Sequence, residues 1–313
     1  ANFDAEPDRK YPLRVHIGGY GTRFTMARGL AGRLPAEPAF LTLVLDGAGP
    51  FGDPYQVNSA NNGPYGDALT RELIPYVEEK YRGVGAGHAR FTDGHSTGGW
   101  VSLALQVFYP DFFNGCWSFC PDPVDFRQFE VINIYDDANA FVNRYGFERP
   151  AKRLVNGDVV YTVRHENHVE RVMGRGGRWT LSGKDWGAWN ATFGPRGADG
   201  LPVPLWDGAT GVIDKAAADH WKKYDLRRVM QSEWPTRGPK LRGKIHLYAG
   251  DADDYFLNNA VRLMERFLQS AEPPADATVI IGPYASHSFH PLTEKQTVEA
   301  MDARFRRGGP ATR

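Results

Sequence analysis

Ala89-Arg90-Phe91-Thr92-Asp93, then Gly94-His95-Ser96-Thr97-Gly98-Gly99, then Trp100-Val101-Ser102-Leu103-Ala104-Leu105-Gln106-Val107-Phe108 read in order as a short strand, a sharp turn and a buried helix. The turn carries G-x-S-x-G, in which glycines flank a serine at i−2 and i+2. Such a turn forces the serine into strained backbone angles. The flanking residues must be small so that strand and helix can close around it, and Gly94 and Gly98 meet that demand. In a chain with 35 glycines the motif can arise by chance, so its weight depends on what surrounds it.

Working outward, strands and helices alternate. Leu13–Ile17 ends at Gly18-Gly19-Tyr20-Gly21, and the apolar run 39–45 stops at Asp46-Gly47, so both read as strands. Between Asp67 and Tyr81, Leu69, Leu73, Tyr76 and Val77 recur at helical spacing, with Pro75 predicting a kink. After the central motif come a strand over 115–120, a strand over 244–249, a helix through Ala260, Val261, Met264 and Phe267, a strand over 278–281, and a terminal helix from about Glu294. This alternation predicts a mostly parallel sheet with helices on both faces, an α/β architecture. Residues 125–240 break the rhythm with Gly, Pro and Trp and are too long for a loop. The expected organisation is a core of 1–124 and 241–313 with a cap or lid insertion at 125–240.

Composition narrows the partners. With 37 Lys and Arg against 37 Asp and Glu there is no basic excess to attract nucleic acid. No apolar run reaches the length of a membrane span, and the opening residues are polar, unlike a signal peptide. Ala1-Asn2-Phe3-Asp4 leads almost at once into a core strand, so an upstream leader or further strands are expected to have been removed; export would follow if that piece is a leader. Localisation and oligomeric state are not legible here. Cys116 and Cys120 lie too far apart on an extended strand to bond and lack companion zinc ligands, which predicts two buried thiols.

A serine is a weak nucleophile without a base, so the motif predicts a histidine and a carboxylate elsewhere. In α/β hydrolases the chain order is Ser, then Asp or Glu, then His. Ser96 is followed by Gly250-Asp251-Ala252-Asp253-Asp254 and by Ser286-His287-Ser288-Phe289-His290, each directly after a strand, where open α/β sheets place their sites. Asp253 is preferred over Asp254 and Asp251, any of which could also cap the following helix. His287 is preferred over His290, which is the fallback base or a pocket residue. The N–H groups of Thr97 and Tyr20 are the expected oxyanion donors, Tyr20 lying in a glycine-rich turn at the end of an early strand.

These residues resemble the Putative esterase family of α/β hydrolases, which includes esterase D, enterochelin-esterase-like and feruloyl-esterase-like enzymes and the mycolyltransferases. The resemblance is carried by Tyr11-Pro12 through Gly19-Tyr20-Gly21, Glu72 to Glu78, Gly94 to Gly99, Tyr109-Pro110-Asp111-Phe112-Phe113 and Gly250-Asp251-Ala252-Asp253. It implies an α/β-hydrolase fold, Asp253 as the acid three residues after its glycine, and His287 as the base. Gly18 replaces the His that many relatives carry, and Ser286 replaces the usual Gly. The implied activity is cleavage of a carboxylic ester through an acyl-enzyme, with no metal or organic cofactor. An acyltransferase using the same triad and a non-catalytic binding protein on this fold are the rivals.

Other constellations are weaker. His165-Glu166-Asn167-His168 places its second His at i+3, not the i+4 of a zincin, so with Glu170 it reads as a solvated helix face. Trp179, Trp186, Trp189 and Trp206 crowd the insertion; they predict an aromatic-walled pocket or packing of the cap. With His95 and His290 they are the candidate substrate contacts, for a small-molecule or carbohydrate-linked ester. Asp122 or Asp125 could face the site, and Gln56, Asn58, Asn61 and Asn62 form a polar loop suited to substrate contacts or Asx turns.

Overall fold

A computed structural model describes residues 3–308. The terminal pieces of the expected core, 1–2 and 309–313, lie outside the described residues. Six strands form one sheet: β1 (Leu13–Ile17), β2 (Leu41–Val44), β3 (Arg90–His95), β4 (Cys116–Phe119), β7 (Ile245–Gly250) and β8 (Thr278–Gly282). β5 (Pro150–Arg153) and β6 (Val159–Thr162) form a separate antiparallel hairpin. The sheet order is β8-β7-β4-β3-β1-β2 and every pair is parallel. The protein has the α/β-hydrolase fold.

Period-two alternation assigns the two faces. Phe91, Trp117, Phe119 and Tyr248 point to one face and pack with Met301 of the terminal helix Glu294–Gly308. Leu13, Val15, Cys116, Ile245 and Leu247 point to the other, where helix Thr97–Phe108 is buried along nearly its whole length. That helix is apolar all round because it is covered on both sides, by the sheet below and by aromatic residues of 125–240 above. Phe193, for example, packs at a tilt against Trp100 with ring centroids 4.9 Å apart.

The helix expected over 67–81 runs from 65 to 80, but with a π-helical stretch, Leu69–Leu73, between α-helical Tyr65–Ala68 and Ile74–Lys80. Pro75 has no N–H to give to a carbonyl in the preceding turn, and the wider π turn accommodates the ring where a regular α turn would clash.

Between β4 and β7 the chain forms the β5–β6 hairpin and helices Val163–Met173, Asp185–Phe193, Lys215–Trp221 and Leu226–Leu241. The polar loop after β2 reaches this segment. Asn61 Nδ2 donates to the carbonyls of Ala191 (2.9 Å) and Gly194 (3.0 Å), and Asn62 Nδ2 to Thr192 (3.1 Å). Those asparagines therefore join segments and do not face the cavity described below.

Candidate active site

Strand order reverses between β1 and β3, so the chain ends leaving these two neighbours diverge and open a crevice at their C-terminal ends. Gly18–Gly21 leaves β1 there, and Ser96 follows β3. Ser96 has φ 59° and ψ −123°, a conformation rare for a non-glycine residue, at the start of the buried helix. Its backbone is fixed on both sides: its N–H donates to Phe119 O at 2.9 Å, and its carbonyl accepts from Trp100 N at 3.1 Å. A Cβ at Gly94 would collide with the carbonyls of Gly98 and Ile17, and one at Gly98 with that of Ile17, so this close crossing requires glycine at both positions.

Asp253 and His287 come together. His287 Nδ1–H donates to Asp253 Oδ2 at 2.8 Å, with Asp253 fully buried. Asp253 Oδ1 accepts from Tyr255 N (2.9 Å) and Leu257 N (3.3 Å), so one carboxylate both caps the turn and orients the imidazole. Burial lowers the affinity of His287 for a proton, but the hydrogen bond and charge of Asp253 outweigh it and leave the pKa above the usual histidine value. Arg153 of β5 braces the acid loop, donating to the carbonyls of Asp253 (2.9 Å) and Asp251 (3.3 Å).

Ser96, His287, His95 and Tyr20 line one cavity of about 370 Å³. A Cβ added at Gly19 would meet the Ser96 Cβ at 3.8 Å, so Gly19 lies close beside that side chain. The Thr97 N–H heads a helix and so has no intrahelical acceptor, and among the described residues none accepts from the Tyr20 N–H. The Tyr20 hydroxyl donates to Gly183 O at 2.7 Å. His95 Nε2 donates to His287 O at 2.7 Å, and burial pushes its pKa down to about 4, keeping the ring neutral.

Of the four tryptophans singled out, Trp189 lines the cavity, donating to Asp122 Oδ2 at 3.2 Å. Trp179 stacks on Trp206 (4.8 Å), and Trp206 contacts Trp186 edge-on (4.7 Å); these three are buried in the interior of 125–240 and are not in the cavity wall. His290 stacks on Phe119 and donates to Leu292 O, outside that wall. Asp122 lines the cavity and also accepts from Tyr55 and Thr97, whereas Asp125 pairs with Arg127 and Arg227. Glu170 is buried and caps helix Asp185–Phe193 through the N–H groups of Trp186 and Gly187. The cavity also holds Glu130, Tyr161, Asp185 and Tyr255, for which no local motif gives a signal.

Cys116 and Cys120 are free, buried thiols, each pushed up to about 12 by burial. Cys120 Sγ and ring nitrogens of His95 and His287 lie within 4.8 Å of one another, enough to hold a soft metal ion. With Asp253 on Nδ1, such an ion would have to take the Nε2 of His287.

Several buried carboxyls set the pH dependence of stability. Burial pushes Asp53, Asp185 and Asp225 up to about 6, Glu166 to about 7 and Glu170 to about 8. A folded-state pKa above the unfolded value gives stabilisation that is complete below about pH 4 and is lost as pH rises through the folded values. His95 and His246, both pushed down to about 4, act oppositely, stabilising fully only above about pH 6.5. The five carboxyls outweigh the two histidines. Scanning calorimetry should therefore give a lower Tm at about pH 8 than at about pH 5.5; a higher Tm at the alkaline end would contradict the assignment.

Fold and site geometry together define an α/β hydrolase of the serine type. A family model described as "Putative esterase" matches residues 50–299. The chain belongs to that family and is a carboxylesterase. No curated protein sequence matches it. Three solved structures share the fold. A ferulic acid esterase is 13% identical, with 98% of this chain and 89% of that one covered at a TM-score of 0.53. An S-formylglutathione hydrolase from Agrobacterium tumefaciens is 12% identical, covering 97% and 87%, with a TM-score of 0.52. Fluorophosphonate-binding serine hydrolase F (FphF) of Staphylococcus aureus is also 12% identical, covering 95% and 84%, with a TM-score of 0.52.

Proposed function

We propose that Ser96, His287 and Asp253 form a catalytic triad that hydrolyses a small-molecule carboxylic ester through an acyl-enzyme. Ser96 Oγ attacks the carbonyl carbon while His287 Nε2 takes its proton; the tetrahedral oxyanion sits against the N–H groups of Thr97 and Tyr20. His287 then protonates the departing alcohol. In the second half His287 removes a proton from water, the hydroxide adds to the acyl carbon, and Ser96 leaves with the proton returned. Asp253 holds the Nδ1–H tautomer and stabilises the imidazolium at both stages. Residues 125–240 act as the cap that walls the cavity and selects the ester. The observation that carries this reading is the buried Asp253–His287 hydrogen bond in the cavity that the strained Ser96 turn lines.

The test is to treat the native protein with a fluorophosphonate and assay it with p-nitrophenyl acetate. One covalent label, mapping by peptide mass to Ser96, and ester cleavage blocked by that label are expected. A protein that takes no label and cleaves no short-chain aryl ester would refute the proposal.

A further inference from the structure

The wall of the cavity facing Ser96 is acidic out of proportion to a neutral chain. Asp122, Glu130, Glu166 and Asp185 all line it, together with Tyr161 and Tyr255, and among the described residues no Lys or Arg does. Glu130 is the informative member. It is 2% exposed and its Oε2 is buried with no hydrogen-bond partner, while it sits in a left-handed conformation at φ 55°. A buried carboxylate oxygen without a donor is costly, and because Glu130 is part of the cavity wall, a cationic group bound against this carboxyl would offset that cost. Among the described residues, Glu166 accepts only from Trp186 Nε1, at 3.0 Å.

We propose that the ester taken by this site carries an organic cation, an ammonium or guanidinium group, bound by Glu130, Glu166 and Asp185 beside the rings of Tyr161 and Tyr255. The inference rests on the ester-hydrolase reading above and names its substrate class.

Charge favours a cation over a neutral polyol. Burial first, then the neighbouring carboxyls, push Glu130 well above the usual carboxylate range and Glu166 up to about 7, and Asp185 is raised to about 6. Lys152 acts on Glu166 and Lys184 on Asp185, but neither lines the cavity. Hydroxyl groups would leave the pKa values of these carboxyls raised; an ammonium or guanidinium group stabilises their ionised forms and donates charge-assisted hydrogen bonds to them. The ring of Tyr161 adds a second attraction specific to cations, and Tyr255 already holds one, Lys152 Nζ at 5.0 Å from its ring centroid. A metal ion fits less well: among the described residues, the only cluster with convergent ligand atoms is His95, Cys120 and His287, so the carboxylates are too dispersed to coordinate one ion and match a larger group.

Two isosteric pairs test the proposal on either side of the ester. On the acyl side, the p-nitrophenyl ester of ε-aminocaproic acid is compared with that of heptanoic acid; on the alcohol side, acetylcholine is compared with dimethylbutyl acetate, its uncharged carbon analogue. In one pair the cationic ester should have a kcat/KM higher by about tenfold or more, equivalent to one strong charge-assisted contact. In Glu130→Gln that ratio should fall toward unity. Because the variant could fold poorly, hexylammonium and hexanol are also compared as competitive inhibitors of the native protein, with hexylammonium expected to bind at least about tenfold more tightly. Equal rates within both pairs and equal inhibition would overturn the cationic assignment while leaving ester hydrolysis intact. Absence of all hydrolysis together with absence of fluorophosphonate labelling would instead remove the triad reading, and this inference with it.

Discussion

Ser96→Ala should lower kcat for p-nitrophenyl acetate by roughly five orders of magnitude and abolish fluorophosphonate labelling. The size of the effect follows from what remains. Alanine leaves Thr97 and Tyr20 to polarise a bound carbonyl, and it leaves His287 able to activate water, but no atom is left to form the acyl bond. Residual catalysis is then limited to binding and oxyanion stabilisation, about 10³-fold over water. The loss should not come from unfolding. The Ser96 N–H and carbonyl make their hydrogen bonds to Phe119 and Trp100 through the backbone, and alanine meets the same strain as serine at φ 59°. Circular dichroism and Tm should therefore match the native protein. Labelling that survives in Ser96→Ala would place the nucleophile elsewhere and leave the strained turn without a catalytic purpose.

How much of this was legible in the sequence depends on how local each signal is. The strand–turn–helix around Ser96 is contiguous, and its glycines are required by contacts within the turn and with β1, so the motif could be read directly. The acid and histidine loops each follow a strand of the parallel sheet, and the position of such loops is set by topology, which the alternation of elements encodes. Asp253 and His287 are 34 positions apart, yet adjacent parallel strands β7 and β8 bring their loops together. The acidic wall is different. Glu130 leaves a turn after β4, Glu166 belongs to helix Val163–Met173, and Asp185 begins helix Asp185–Phe193. No periodicity relates three side chains carried by separate elements of an irregular segment, and Glu166 looked like part of a solvated helix face because its neighbours His165 and His168 are exposed. The tryptophans show the reverse problem. Residue type alone predicts an aromatic wall, but the segment needs its own interior, and Trp179, Trp186 and Trp206 fill it by packing on one another, Trp179 stacked on Trp206 and Trp186 edge-on to it.

That segment also reaches the Asp253 loop through the backbone. Arg153 donates to the carbonyls of Asp253 and Asp251, and its own N–H donates to Asp254 O at 2.8 Å, so the acid loop is held by β5 as well as by its parent strand. Trp189 and Tyr55 hold Asp122 beside Thr97, at the N-terminus of helix Thr97–Phe108. Residues of 125–240 thus brace both the acid loop and the start of helix Thr97–Phe108, and changes in this segment should alter turnover as well as substrate choice.

Asp253→Asn should lower kcat by about four orders of magnitude with little change in fold, because it reverses the tautomer of His287. In the native site the carboxylate can only accept, so Nδ1 carries the proton and Nε2 is left as the base for Ser96. Asparagine can keep the Oδ1 contacts to Tyr255 N and Leu257 N, which turns its amide NH₂ toward His287. A donor facing Nδ1 requires that nitrogen to accept, so the proton moves to Nε2 and the base is lost. The substitution also removes the charge that, with the hydrogen bond, holds the His287 pKa above the usual value. The native kcat/KM should rise with pH as His287 loses its proton, along an acid limb set by that raised pKa. In Asp253→Asn the limb of the residual activity should move to lower pH, because the imidazolium is no longer stabilised. Asp254→Asn, with its carboxylate outside this hydrogen bond but its charge still acting on His287, should move the limb far less. A pH–rate profile that stays fixed in Asp253→Asn and shifts in Asp254→Asn would exchange the two assignments.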